Sequence, residues 1–326
     1  MPRPRYKNEA LSAYPGLIVR KLKTKIRYYL KQHDGKRVPL GDDLPKAIQR
    51  YNDLLNVTIS GVVSFAYAAE QYRKRVLPGK KPKTQRDQDR QLDTLKAAFP
   101  DALLDEIEPM HIAKYRDKRS KKTAANREMA LFSHLWNWCR EQGYTGKANP
   151  VRGVRKNPER PRERYVTDEE YQAVWDKSDD ALQDAMDLAL LTGQRKGDVL
   201  NMRLSDIADG FLFVRQGKTN KPLRIKIEGG LAEVIERIKS RPRKVFGNWL
   251  IQTETGQRVT NEMLRGRFDK AREDVGADWQ FRDLRAKSAS DSDGLQEAQE
   301  RLGHEDSRTT RRHYRRGEKV SPLKRK

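Results

Sequence analysis

Four stretches in the second half of this 326-residue chain hold basic or nucleophilic side chains of the kinds that phosphodiester chemistry requires. They are TGQRKGDVL (192–200), GKT (217–219), RDLR (282–285) and LGHEDSRTTRRHY (302–314). A phosphodiester under attack gathers negative charge on its nonbridging oxygens. Guanidinium groups are planar, always charged and able to bind oxygens in pairs, so they can hold that charge without a metal. A tyrosine hydroxyl can act as nucleophile once its proton leaves, and a lysine ammonium is a competent general acid where an arginine hardly is. Each residue alone says little. An isolated arginine is more often an ion-pair partner, a turn lysine is ordinarily solvated, and a lone tyrosine is usually packed. Only the joint order and spacing carry weight.

That order and spacing resembles the tyrosine recombinase family, which includes the integrases of lambdoid phages. The resemblance is strongest over residues 165–316 and loosest over the first 56. It implies that Arg195 is the first catalytic arginine, with Asp198 as its acidic partner, and that Lys218 is the hairpin lysine. It further implies Arg285 as the second arginine, His304 as the following histidine and Tyr314, ten positions on, as the nucleophile. The implied reaction is strand cleavage and rejoining through a 3′-phosphotyrosine, with no metal or ATP, for integration and excision of a mobile element. The implied partners are double-stranded DNA with core-type and arm-type sites, three further copies in a homotetramer, and accessory DNA-bending and excision proteins. Exchange of the carboxyl-terminal segment EKVSPLKRK between copies would join them.

One position departs from the family pattern. Arg282 stands where the family most often has histidine. Arginine cannot accept a proton at ordinary pH, so Arg282 is expected to bind phosphate or to pair with an acid such as Asp283. His313 is a poor substitute as base, because adjacent residues on a helix point to different faces. Two other readings share these residues: an architectural DNA-binding protein that has lost catalysis, which Arg282 favours, and a relaxing enzyme like the type IB topoisomerases.

Composition agrees with a polyanionic partner, since Lys and Arg outnumber Asp and Glu by 69 to 46 for a formal net charge of +23. Cys139 is the only cysteine, which rules out an intrachain disulfide and fits a reducing cytoplasm; the resemblance implies that of a bacterial host. The five histidines (33, 111, 134, 304, 313) lack metal-ligand spacing, and QGKT lacks the first glycine of a phosphate-binding loop. The most apolar stretch, Ile59 to Ala69, is well short of the ~18 residues that a membrane span needs. MPRPRYKNEA leads into no signal-peptide core.

The elements that must position these residues read as a mainly α chain with small β elements. Residues 1–56 are expected to form a small basic β-sheet module for arm-type DNA, with a hairpin turn at Asp34-Gly35 and a helix over LPKAIQRYNDLL. Residues 57–146 read as helical, with Met129, Phe132, Trp136 and Cys139 at helical spacing and Leu131, Leu135 and Trp138 widening the stripe, and the resemblance implies that they are the core-binding domain. Residues 147–164, with Pro150, Pro158 and Pro161, read as a basic interdomain linker with little to pack. Residues 165–326 form an α-rich catalytic domain. It opens on a capping box at Thr167 and Glu170 and holds a β-hairpin in which FLFV and LRIKI flank QGKTNKP.

Overall fold

The computed structural model describes residues 14, 16–22, 25–31, 36–55, 63–100, 102–242, 244–245 and 247–316. The MPRPRYKNEA start, the Asp34-Gly35 turn, residues 59–62 of the apolar stretch, Phe246 and the EKVSPLKRK segment lie outside the described residues. The fold is mainly helical with two small antiparallel sheets, as the sequence predicts. It divides into two units, between Glu159 and Arg160.

In the first unit, β1 (Leu17–Lys21), β2 (Ile26–Lys31) and β3 (Arg37–Gly41) form an antiparallel meander. Period-2 alternation buries Tyr28 and Leu30 while Arg27 and Lys31 stay exposed. Those two join Leu40 and, from α1 (Leu44–Leu55), Ala47, Ile48 and Tyr51 in a small core. The predicted helix LPKAIQRYNDLL is α1 in full.

A second core is built by α2 (Phe65–Arg75), α3 (Pro82–Ala98), α4 (Pro109–Lys118) and α5 (Lys122–Glu141). Met129, Leu131, Phe132, Leu135, Trp136 and Cys139 of α5 are all buried, and Phe132 stacks on Phe65 at 4.9 Å. Residues 147–159 pack more than their composition implies. Asn149 donates to Ser133 O (3.1 Å), and Asn126 and Asn157 bond to each other, with the Asn157 amide donating to Asn126 Oδ1 at 2.9 Å. Val151 and Val154 cover the helical core. Asparagine amides that cap helix and loop backbone hold this segment where apolar bulk is scarce.

The second unit begins with α6 (Asp168–Asp176), opened by the predicted capping box: Glu170 N donates to Thr167 Oγ1 (3.3 Å) and Thr167 N to Glu170 Oε2 (3.0 Å). Then come α7 (Asp180–Thr192), α8 (Lys196–Val199), strands β4 (Ile207–Ala208), β5 (Phe211–Arg215) and β6 (Pro222–Lys226), and α9 (Gly230–Ser240). Helices α10 (Asn261–Asp274), α11 (Asp283–Ser290), α12 (Leu295–Leu302) and α13 (Ser307–His313) complete it. The expected hairpin pairs Leu212 with Ile225 and Val214 with Leu223, and a short third strand, β4, extends the sheet.

The stretch from Arg162 to Asp168 straps α11 along its length. Arg162 Nε donates to both oxygens of Asp283 (2.9 and 3.1 Å) at the start of α11. Lys287, 1% exposed in mid-helix, pairs with Asp168 (2.6 Å) and with Asp291 (2.9 Å) at its end. Burial opposes the charge of Lys287, but the two carboxylates outweigh it and raise its pKa. Asp283 is therefore taken by Arg162, and is not the partner of Arg282. The strap fixes the helix that carries Arg285.

Candidate active site

Helix α7 ends at Gly193, whose φ of +64° is left-handed backbone. A Cβ there would lie 3.0 Å from Leu302 Cδ2 and 3.1 Å from Ser288 Oγ, so glycine is needed for close approach as well as for the turn. The turn presents Arg195 at the N-cap of α8. Its Nη1 donates to Gln216 Oε1 (3.3 Å) and lies 3.8 Å from Asp198 Oδ2. Asp198 is buried, and its other oxygen accepts from Gly217 N at 2.8 Å.

Arg285 is 4% exposed on α11. Its Nη1 donates to Gly193 O; its Nη2 donates to Leu302 O (2.9 Å) and to His304 Nε2 (3.1 Å). Its Cζ lies 5.2 Å from the centre of the Tyr314 ring, over the ring face. Burial first, and the neighbouring Arg195 charge second, push its pKa down to about 10. Arg285 Nε is buried without a hydrogen-bond partner among the described residues. Two clustered guanidiniums, one with an unmet donor, make a site that an anion relieves of mutual repulsion.

The network assigns the His304 tautomer. Arg285 can only donate, so Nε2 accepts and Nδ1 carries the proton, donating to Thr310 Oγ1 at 2.8 Å. Burial, then the Arg285 and Arg195 charges, push the His304 pKa down to about 4. As pH falls, an unfolded histidine protonates near ~6.5 while folded His304 stays neutral. Its contribution to stability is complete above about 6.5 and is lost as pH falls toward about 4. Imidazole NMR should find His304 neutral down to about pH 4, and His304→Gln should flatten the urea midpoint across that window. A His304 resonance that titrates at ~6.5 would contradict the network.

Tyr314 follows α13, its ring 4.9 Å from that of His304 and packed on Ala289, Ala298 and Leu302. Its carbonyl accepts from Ser290 Oγ (3.3 Å), and the same hydroxyl accepts from Arg316 N (2.7 Å), which docks the segment on the end of α11. Lys218 is exposed on the β5–β6 loop. Arg282, exposed at the N-cap of α11, lines a groove of about 440 Å³ with Lys196, Gln280 and Phe281 and, from α10, Arg265, Asp269 and Arg272.

The structure thus gathers Arg195, Arg285, His304 and Tyr314 into one cluster, sets Lys218 on a loop tied to it through Gly217, and turns Arg282 to an adjoining groove. Sequence reasoning missed Gln194, Gln216 and Thr310, all buried polar groups that bond to the cluster or its supports. Gln216 carried a signal: it continues the alternation of buried Leu212 and Val214, so an amide occupies a position where an apolar residue is expected.

Known proteins bear on this arrangement in two ways. The model of the phage integrase family matches residues 164–319. The integrase of Enterobacteria phage 434 is 28% identical over 214 residues, covering 61% of this chain and 60% of that relative's length. Among solved structures, a lambda integrase dimer bound to a COC′ core site superposes with a TM-score of 0.72 at 24% identity, over 96% of this chain and 98% of that one. A lambda integrase tetramer bound to a Holliday junction gives a TM-score of 0.71 over the same shares, also at 24% identity, and both are likenesses of fold. With its arginine pair, histidine and tyrosine in one cluster, the second unit of this chain belongs to the phage integrase family, the tyrosine recombinases of phage integrase type.

Proposed function

We propose that this chain is a site-specific DNA integrase that cuts and rejoins strands through a 3′-phosphotyrosine at Tyr314. The observation that carries this reading is the convergence of two guanidiniums, an imidazole and a phenol from four separate segments. A scissile phosphate entering beside Arg285 would draw hydrogen bonds from Arg195 and Arg285 to its nonbridging oxygens. Arg285 Nη2 would then release His304 Nε2, and His304 would donate to the phosphate once it is protonated there. Negative charge at the site favours that protonation. Tyr314 Oη attacks phosphorus as its own proton passes to solvent water, the bond to the 5′ oxygen breaks, and Lys218 gives that oxygen a proton. The phosphoryl bond is kept on Tyr314 for a second 5′ hydroxyl, so no ATP is consumed. Arg282 faces the adjoining groove, where it would hold a flanking phosphate and take no part in proton transfer.

The same reading gives residues 1–56 arm-type DNA, residues 57–146 core-type DNA, and 147–164 the role of linker to a catalytic domain over 165–326. Four copies act on two duplexes in the cytoplasm of a bacterial host, with accessory DNA-bending and excision proteins, to insert and excise a prophage or related element. The DNA and the four copies are supported by the lambda integrase complexes of like fold and by the basic composition, and the accessory proteins by the resemblance alone.

A nicked suicide duplex built from the DNA flanking the gene tests the reading. Loss of the short 5′-hydroxyl fragment should trap a detergent-stable protein–DNA adduct. Binding without any adduct would point instead to an architectural DNA-binding protein.

A further inference from the structure

Gln216 is fully buried, 0% exposed, and every hydrogen-bonding position of its amide is used. Oε1 accepts from Arg195 Nη1 (3.3 Å) and from Thr219 Oγ1 (2.8 Å). Nε2 donates to Gln194 Oε1 (2.8 Å) and to Leu302 O (2.9 Å). Each partner belongs to a different part of the site. Gln194 and Arg195 lie on the turn after α7, Thr219 adjoins Lys218, and Leu302 O also takes a hydrogen bond from Arg285 Nη2. Gly303, next to His304, has no room for a side chain here: a Cβ would sit 3.0 Å from Gln216 Nε2.

The loop that carries Lys218 is held on both sides of that residue. Gly217 N donates to Asp198 Oδ1 and Thr219 Oγ1 donates to Gln216 Oε1. Asp198 and Gln216 are also the two acceptors beside Arg195. The same pair of side chains therefore sets the arginine and the base of the lysine arm, while the Lys218 ammonium stays exposed.

We infer that Gln216 is a positioning residue that places Arg195 and the Lys218 loop in register with each other. The inference rests on the reading of Lys218 as the acid that protonates the departing 5′ oxygen. An amide suits this position better than a carboxylate, because it must accept from Arg195 and donate to Leu302 O at once. Loss of its side chain would leave Leu302 O with Arg285 as partner but would free Thr219 and, with it, the loop.

The test compares single-turnover cleavage of two suicide duplexes by the full chain, one with the ordinary 5′ oxygen and one with sulfur at that bridging position. A thiolate leaves without a proton, so the sulfur duplex no longer needs the acid. On the oxygen duplex, Gln216→Met should cleave on the order of 10²-fold more slowly, within the range for impaired general-acid catalysis. Thr219→Val, on the exposed loop, should lose about fivefold, as expected for one hydrogen bond. The sulfur duplex should restore Thr219→Val fully and Gln216→Met in part, the remainder being the share of Arg195. Lys218→Ala is the control, and its rescue by sulfur establishes the acid. If Lys218→Ala is rescued while both other variants are equally slow on the two duplexes, or unimpaired on the oxygen duplex, the positioning role is overturned. If Lys218→Ala is not rescued, the acid reading itself fails and the lysine half of the inference fails with it. Should Gln216→Met not fold, Thr219→Val decides alone.

Discussion

Tyr314→Phe is expected to abolish the covalent adduct while leaving DNA affinity unchanged. The substitution removes one oxygen atom, and with it the proposed nucleophile. Loss of a nucleophile that acts with its neighbours costs at least ~10⁴-fold in rate, which puts the adduct below detection. The ring itself stays. Its packing on Ala289, Ala298 and Leu302 and the His304 contact need only the aromatic surface, and the Arg285 guanidinium keeps the ring face while losing its polar interaction with the Tyr314 oxygen. The Ser290 contact is to the Tyr314 carbonyl, so the backbone docking on α11 is equally untouched. The proposed contacts to phosphates are cationic and the hydroxyl is neutral, so a mobility-shift titration should superpose on that of the parent chain. Adduct surviving in the phenylalanine form would assign the nucleophile to another residue, and peptide mapping of the DNA-linked fragment would identify it.

How much of this was legible in the sequence follows the range of the forces involved. The capping box at Thr167, the hairpin of β5 and β6, the helix α1 and the buried stripe on α5 rest on contacts between residues close in the chain. Periodicity and turn chemistry expose these directly. Tyr314, Arg195, Arg285 and His304 were legible for a different reason. The motifs that hold them include residues under strict local constraint, with Gly193 at the end of α7, Gly303 at the end of α12 and Asp198 inside α8. The short motifs mark these turns as much as the chemistry.

What was hidden needs the third dimension. Gln216 lies in a period-2 strand pattern whose significance appears only when Leu302 O and Arg195 arrive from distant segments. Arg282 could be read as a phosphate ligand or as a partner of Asp283, and local sequence favours neither. Arg162 sets the second aside by occupying Asp283 from 121 positions away. The segment 147–164 shows the same limit of local reading. Prolines and charges forecast a bare tether, but Asn149 and Asn157 find backbone and side-chain partners on α5, and Arg162 and Arg164 find carboxylates in the second unit. Polar side chains that satisfy one another over long separations leave no periodic trace.

Arg285→Lys separates charge from geometry at the centre of the site. The positive charge is kept, yet one guanidinium now spans Gly193 O, Leu302 O and His304 Nε2 while covering the Tyr314 ring. An ammonium directs its three donors from a single point and cannot reach these acceptors together or bind two phosphate oxygens in a plane. Leu302 O keeps its bond from Gln216, so the substitution leaves Gly193 O and His304 Nε2 to compete for one ammonium. That should lower stability by about 1–3 kcal/mol, read as a shift in the urea midpoint. The catalytic loss should be larger. Removing one preorganised donor of a transition-state oxyanion costs ~10²–10³-fold, and here the proposed phosphate contact would lose its planar, paired geometry. Single-turnover cleavage of the suicide duplex should fall by at least that factor with DNA binding preserved. If the lysine form cleaves within about threefold of the parent, a difference of under 1 kcal/mol, charge alone holds the phosphate. The guanidinium would then serve to clamp the turn at Gly193 against α12.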